Sequence, residues 1–377
     1  MRIKRIEMKH YLLAGLSALS LLVSCETVTV QPRPTIPLVL GIAADTSGQG
    51  GLIARAGSRG ADGSIAIIGE PADVTILARR FQSIDAVDNV DGRSVRDSLP
   101  DFAGESFDAI LDAFNAPYAH FLEGPAPETD SLRETAVRGA MAAWDSLCYR
   151  TSLDRQAMLR KQQAKILVYT SSLHAAYGLF DVDTLQQLTG GKSRVLSVVD
   201  VMLEGALASG SRNLAVWTTP EVRSSGAWEH VFEEKNTNGD ASLAVLAPDA
   251  ALDVRTELRN LLRQYQQTGR QLHVLLVDRF DVDKAPLASE VAMIRREGTE
   301  EDAAFNRMLA PDFRVVMPAS ALISATYGIL RRDRLFTHRI LRPSIRYYET
   351  VEGSQGTPIL QEVTAAYVQS TYVPDID

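Results

Sequence analysis

The sequence predicts an α/β protein built as two Rossmann-like α/β domains, with mostly parallel sheets and an interdomain cleft. Three observations carry this expectation. Short apolar runs of strand length alternate with longer segments of helical periodicity, the pattern of repeated strand–helix–strand units. Several runs are apolar throughout instead of alternating, as strands covered on both faces should be. The chain has 377 residues, 45% of them hydrophobic, which is enough for a large core divided over two domains.

The runs read as strands are Leu38–Ala43, Ser64–Ile68, Lys165–Tyr169, Arg194–Val199, Asn213–Trp217, Ser242–Leu246, His273–Val277 and Phe313–Met317. Between them, Ser131–Leu147, Leu173–Leu188, Val201–Ala208, Val254–Gln267 and Ala319–Leu330 place apolar residues at i, i+3, i+4 spacing and read as helices. Near the end, Arg346–Val373 alternates in places around Gly353-Ser354-Gln355-Gly356, which predicts a late hairpin or an embracing tail. This divides the chain into a first α/β domain over 38–192, with an insertion at about 64–112, a second over 193–310, and a return to the first over 311–377.

The first 24 residues read differently. A basic segment (Arg2, Lys4, Arg5, Lys9) leads into an apolar stretch Tyr11–Val23 and then Leu22-Val23-Ser24-Cys25, the form of a secretory signal. The apolar part is too short for a comfortable membrane span. Leu22 to Cys25 resembles a bacterial lipobox, which implies that Cys25 is acylated and becomes the new N-terminus, leaving the mature protein anchored to a cell-envelope membrane and facing the periplasm. Residues 25–37, rich in proline, read as a stiff extended tether. Removing residues 1–24 deletes four positive charges and one negative, so the net charge of −8 becomes −11. A body so anionic should stand off an acidic membrane surface. Without a basic stripe interleaved with aromatics, it also lacks the footprint of a nucleic-acid-binding protein.

In parallel sheets ligands bind beyond the carboxyl ends of the strands, so the residues after each run are the place to look for function. These are Asp45-Thr46-Ser47-Gly48, Thr170-Ser171-Ser172, Thr218 to Gly226 with Thr219 and Ser224, and Asp278-Arg279-Phe280-Asp281. Hydroxyls, glycines and backbone amides dominate three of the four loops and suit an anionic group such as a carboxylate. The same residue types are also ordinary helix caps and turns.

The order and wording of these loops resemble the aspartate/glutamate racemase superfamily, glutamate racemase in particular. Asp45–Leu52 is similar to that family's Asp-Ser-Gly-Val-Gly-Gly-Leu with one residue inserted, and Pro117-Tyr118-Ala119 stands where Pro-Tyr-Gly would. Ile166–Ala175 aligns to the strand ending in Cys-Asn-Thr, Thr219–Trp228 to the Thr-Pro-x-Thr-Val segment, and His273–Asp281 to the strand ending in Gly-Cys-Thr-His. The segment from Ser64 to Asp112 has no counterpart.

The resemblance implies a racemase-like fold but removes the activity that goes with it. Those enzymes use two cysteines as thiolate base and thiol acid. Here the first position is Thr170 and the second falls at about Arg279, and neither can act as a thiolate. The chain has two cysteines in all. One is Cys25. The other, Cys148, follows Met141–Leu147 on what reads as the core side of a helix, a buried structural position.

Three readings remain from the sequence. In the first, a small carboxylate-bearing solute binds in the cleft, with Asp45, Ser47, Gly48, Thr170, Ser171, Ser172, Thr219 and Ser224 as ligand-binding residues and Asp45 or Asp278 receiving an ammonium group. In the second, Asp45, Asp278 and Asp281 act as acid and base, alone or with a divalent metal, on a cell-envelope metabolite. In the third, the cleft is vestigial and 64–112 is the working surface of a structural envelope protein. The common nucleotide, esterase and zinc-protease signatures are absent, and the sequence implies no cofactor and no metal ligand set.

Overall fold

A computed structural model describes residues 33–56, 60–87, 93, 95–249, 253–337, 339, 341–354 and 356–373. The leader 1–24, Cys25 and most of the tether lie outside the described residues. From Thr35 onward the chain forms one compact unit.

The strands are β1 (Ser64–Gly69), β2 (Ser106–Leu111), β3 (Leu147–Cys148), β4 (Leu159–Arg160), β5 (Ala164–Tyr169), β6 (Arg194–Ser197), β7 (Asn213–Trp217), β8 (Ser242–Leu246), β9 (Leu272–Val277), β10 (Leu309–Val316), β11 (Ser344–Glu352) and β12 (Pro358–Val363). They build a six-stranded sheet in the order β12-β11-β2-β1-β5-β6 and a four-stranded sheet in the order β10-β9-β7-β8, with β3 and β4 as a small separate pair. Every pairing in the two large sheets is parallel except β11 with β12. The chain is thus a mixed α/β protein with mostly parallel sheets.

The helices of the first part are α1 (Pro37–Ala44), α2 (Gln49–Ala56), α3 (Pro71–Ser83), α4 (Thr129–Trp144), α5 (Ser172–Tyr177), α6 (Leu179–Thr189) and α7 (Val198–Ala208). Those that follow are α8 (Pro220–Ser225), α9 (Ala227–Lys235), α10 (Val254–Gln266), α11 (Lys284–Ile294), α12 (Glu300–Met308), α13 (Pro318–Arg332) and α14 (Ala365–Tyr372). Among the described residues none is long and apolar enough to cross a membrane.

Burial explains the central strands. All six residues of β1 and of β5 are buried, so both faces of the sheet are covered by helices. Lys165 tolerates this position on β5 because its ammonium donates to the Glu105 carboxylate at 2.7 Å and to the carbonyls of Ala61 and Leu335 at 3.0 and 2.8 Å. Phe81, Phe102 and Phe107 pack with ring centroids 5.0 to 5.7 Å apart between α3 and β2.

Two expectations need correction. The apolar run Leu38–Ala43 is a helix, α1, not the first strand. Pro37 stands at its first turn, where proline's missing amide costs nothing, and Val39 and Ile42 face inward. A short continuous apolar run does not by itself distinguish a buried strand from a buried helix, and here the proline was the deciding signal. The segment 64–112, set apart in the sequence, supplies β1 and β2 in the middle of the larger sheet. The return of the chain adds β11 beside β2, and β12 closes the edge as the antiparallel hairpin partner anticipated from the alternation near Gly353.

Candidate functional site

The carboxyl ends of β1, β5, β7 and β9 meet around a cavity of about 430 Å³. Each end contributes a short loop running into a helix. After β1 comes Glu70, then Pro71 opening α3 and Asp73 in its first turn. After β5 come Thr170 and Ser171, the cap of α5, whose hydroxyl accepts the Leu173 amide at 3.2 Å. After β7 come Thr218 and Thr219, the cap of α8, whose hydroxyl accepts the Val222 amide at 3.4 Å. After β9 comes Asp278. The loop between β2 and α4 adds Pro117, Ala119 and Glu123.

Gly69 allows the strands to approach this closely. Its φ is +156°, and a Cβ there would overlap the Thr170 hydroxyl. Thr170 itself is buried and directs its hydroxyl to the Ile68 carbonyl at 3.4 Å.

Asp278 joins the two sheets. Its carboxylate accepts the Ser172 hydroxyl at 2.6 Å, the Thr218 hydroxyl at 2.9 Å and the Trp228 indole N–H at 2.7 Å. Burial pushes its pKa up to about 6, while the three donors pull it down by favouring the charged form. Glu70 accepts the Tyr118 amide at 3.0 Å, and its pKa is raised chiefly by burial, with the neighbouring Asp112 adding to the effect. Asp73 is raised well above the ordinary value by burial and by the negative charges of Glu70, Asp278 and Asp281. The cleft therefore tends to retain protons.

Among the described residues the lining includes five carboxyl side chains, Glu70, Asp73, Glu123, Glu221 and Asp278, and no lysine, arginine or histidine. Ser171 and Thr219 accept helix amides and keep their own hydroxyl protons to give. Among the described residues no group of three or more His, Cys, Asp or Glu is arranged to hold a metal ion.

The residues predicted from sequence divide into two sets. Thr170, Ser171, Ser172, Thr219 and Asp278 line the cleft. Asp45, Ser47 and Gly48 do not: Asp45 accepts the amides of Gly48 and Gln49 at 2.9 and 3.0 Å and so caps the start of α2 on the exposed surface. These bonds hold the Asp45 carboxyl below its ordinary pKa. Ser224 is exposed and donates to the Pro220 carbonyl of its own helix at 2.7 Å. Asp281 accepts from Arg279 at 2.6 Å, also outside the cleft lining. The position matched to the second cysteine, Arg279, is ion-paired with Glu257 at 2.5 Å and lies over the Trp217 ring, and the cleft is reached one residue earlier, at Asp278. Cys148 lies in β3 rather than in a helix. It is buried away from the cleft, and burial raises its thiol to about 11.

Sequence reading missed Glu70, Asp73, Glu123 and Glu221. The signal for the first two was present, since Ser64–Ile68 reads as a strand and Glu70-Pro71 follows it. Assigning that strand to an insertion kept its loop out of consideration.

No family model matches this chain, and no curated protein does. Among solved structures the chain is similar to glutamate racemase from Francisella tularensis subsp. tularensis SCHU S4 in complex with D-glutamate, at 13% identity and a TM-score of 0.47 over 78% of this chain and 90% of that one. It is similar to a glutamate racemase isoform from Bacillus anthracis at 14% identity and a TM-score of 0.48, over 77% and 90% of the two chains. The Picrophilus torridus aspartate racemase is similar at 14% identity and a TM-score of 0.36, over 73% and 99%. These structures assign no ligand or residue role to this chain.

Proposed function

We propose that this chain binds a small amino-acid-like solute in the cleft between its two sheets, without thiol chemistry, and that acylation of Cys25 holds the body at a cell-envelope membrane. The observation that carries the binding reading is the composition of the cleft: among the described residues, five carboxyl groups, two capping hydroxyls with protons to give, and no basic side chain. A solute carrying only carboxylates would meet repulsion on every side. One that carries an ammonium group satisfies the acids, while a single carboxylate reaches the hydroxyls of Ser171 and Thr219. The preferred ligand is therefore a zwitterion or a cationic amino acid rather than a dicarboxylate.

A thermal-shift panel tests this. Ornithine and neutral amino acids should raise the melting temperature and glutarate should not, with the rise lost in Glu70→Gln and Asp73→Asn. Stabilisation by glutarate alone would contradict the reading. For the anchor, Cys25→Ser should release the protein from membranes, and unchanged fractionation would count against acylation.

A second reading draws on Asp278, whose pKa of about 6 suits proton transfer, beside Glu70 and Asp73, which burial also pushes upward. Turnover of a bound amino acid that disappears in Asp73→Asn while binding persists would favour it.

A further inference from the structure

Between β3 and β4 the chain makes a projection, residues 149–158, that no part of the cleft uses. Its base is firmly held. The Tyr149 amide donates to the Leu360 carbonyl at 2.8 Å, the Glu362 amide to the Tyr149 carbonyl at 3.1 Å, the Met158 amide to the Cys148 carbonyl at 3.1 Å, and the Lys161 amide to the Ser146 carbonyl at 2.9 Å. Below it, Lys161 is buried against Asp108, and Cys148 is buried beside them. Two of its side chains are the opposite. Leu153 and Met158 are 82% and 81% exposed, more than any other large apolar side chain among the described residues.

Singly exposed apolar residues are ordinary. These two share a ten-residue projection with Arg150 and Arg155, and Arg160 follows at once; all three arginines are exposed and make no ion pair among the described residues. The one acid, Asp154, accepts the Thr151 amide at 3.0 Å within the projection, so arginines outnumber acids there. The segment is thus locally basic and apolar on a chain whose net charge is −8.

We propose that this projection docks on an anionic lipid surface, with Leu153 and Met158 entering the headgroup–acyl boundary and Arg150, Arg155 and Arg160 pairing with lipid phosphates. Charge complementarity selects that occupant. An anionic body is repelled by such a surface everywhere except where positive charge is gathered, and guanidinium groups match phosphate geometry. Two exposed apolar side chains on a projection whose base is held by backbone hydrogen bonds enter the interface with little ordering cost. The inference is independent of the cleft and of Cys25.

The test is co-sedimentation of the chain lacking its first 24 residues and carrying Cys25→Ser, so that no leader or acyl group contributes. Vesicles of phosphatidylcholine are compared with vesicles that also contain phosphatidylglycerol. Binding should require phosphatidylglycerol and weaken with salt. It should fall roughly tenfold or more in Leu153→Ser with Met158→Ser, and again in Arg150→Glu with Arg155→Glu, while the melting temperature of each variant stays unchanged. Equal partition of all forms, or binding to phosphatidylcholine indifferent to the arginine changes, would overturn the proposal. So would self-association abolished by Leu153→Ser without any vesicle binding.

Discussion

Asp278 takes three hydrogen bonds from three elements, α5, the loop after β7, and α9, and this arrangement fixes its behaviour with pH. Its folded-state pKa of about 6 lies above the ordinary 3.8, so the native state holds this proton more tightly than the unfolded chain does. The group's contribution to stability is therefore largest below pH 3.8, declines as the pH rises to about 6, and is constant beyond. Trp228→Phe removes one donor to the charged form. It should raise the Asp278 pKa further, read by carboxyl-carbon NMR titration, and cost about 1.5–3 kcal/mol by denaturant unfolding. His174 offers a second residue-scale check. Thr135 spends its proton on the Leu132 carbonyl at 2.7 Å, so the His174 Nε2 at 2.8 Å from the same oxygen must be the donor. Burial depresses this imidazole to about 3, so it stays neutral at physiological pH. Thr135→Val should strand the Nε2 proton and cost about 1–3 kcal/mol, again by unfolding in denaturant.

At the scale of elements, what could be read in the sequence depended on how each element announces itself. β1, β5, β7, β8 and β9 are compact apolar runs, and their positions are evident from sequence alone. β2 is not, because Asp108 interrupts it. In the fold that carboxylate accepts the Ser64 hydroxyl at 2.7 Å and lies 3.4 Å from the Lys161 ammonium, partners contributed from elsewhere in the chain. Aspartate is disfavoured in strands, and only tertiary partners make it acceptable here. The loop Asp45-Thr46-Ser47-Gly48 misled for a related reason, since cap chemistry and ligand-cradling chemistry use the same residues. Asp45→Ala should weaken the start of α2, costing about 1 kcal/mol in a melting experiment, and leave ligand binding in the cleft unchanged. A loss of ligand binding would return Asp45 to the site.

At the scale of the molecule, the larger sheet is completed only when the chain returns after α13. Glu105 lies at the closure, accepting from Lys165 at 2.7 Å and from the Thr337 amide at 2.7 Å, so it ties the returning segment to β5. Glu105→Ala leaves the Lys165 ammonium buried without its charge partner and should cost about 3–5 kcal/mol, measured by chemical denaturation. The same sheet holds β1 beside β5 and thereby brings the Glu70 and Asp73 loop next to Ser171, while Thr219 reaches the cleft from the second sheet. That juxtaposition was not legible in sequence, because it depends on strand order, whereas the hydroxyl caps were. Binding of an ammonium-bearing solute in this cleft should expel protons from carboxyls whose pKa values are raised, so affinity should increase as the pH rises through the range in which they titrate, which includes the Asp278 value of about 6. Calorimetric titration of ornithine and of glutarate at a pH at or just below the Asp278 value of about 6, in buffers of different ionisation enthalpy, tests this account most directly. It predicts that ornithine binds with proton release and glutarate does not bind. Tighter binding of glutarate, or proton uptake on binding ornithine, would contradict it.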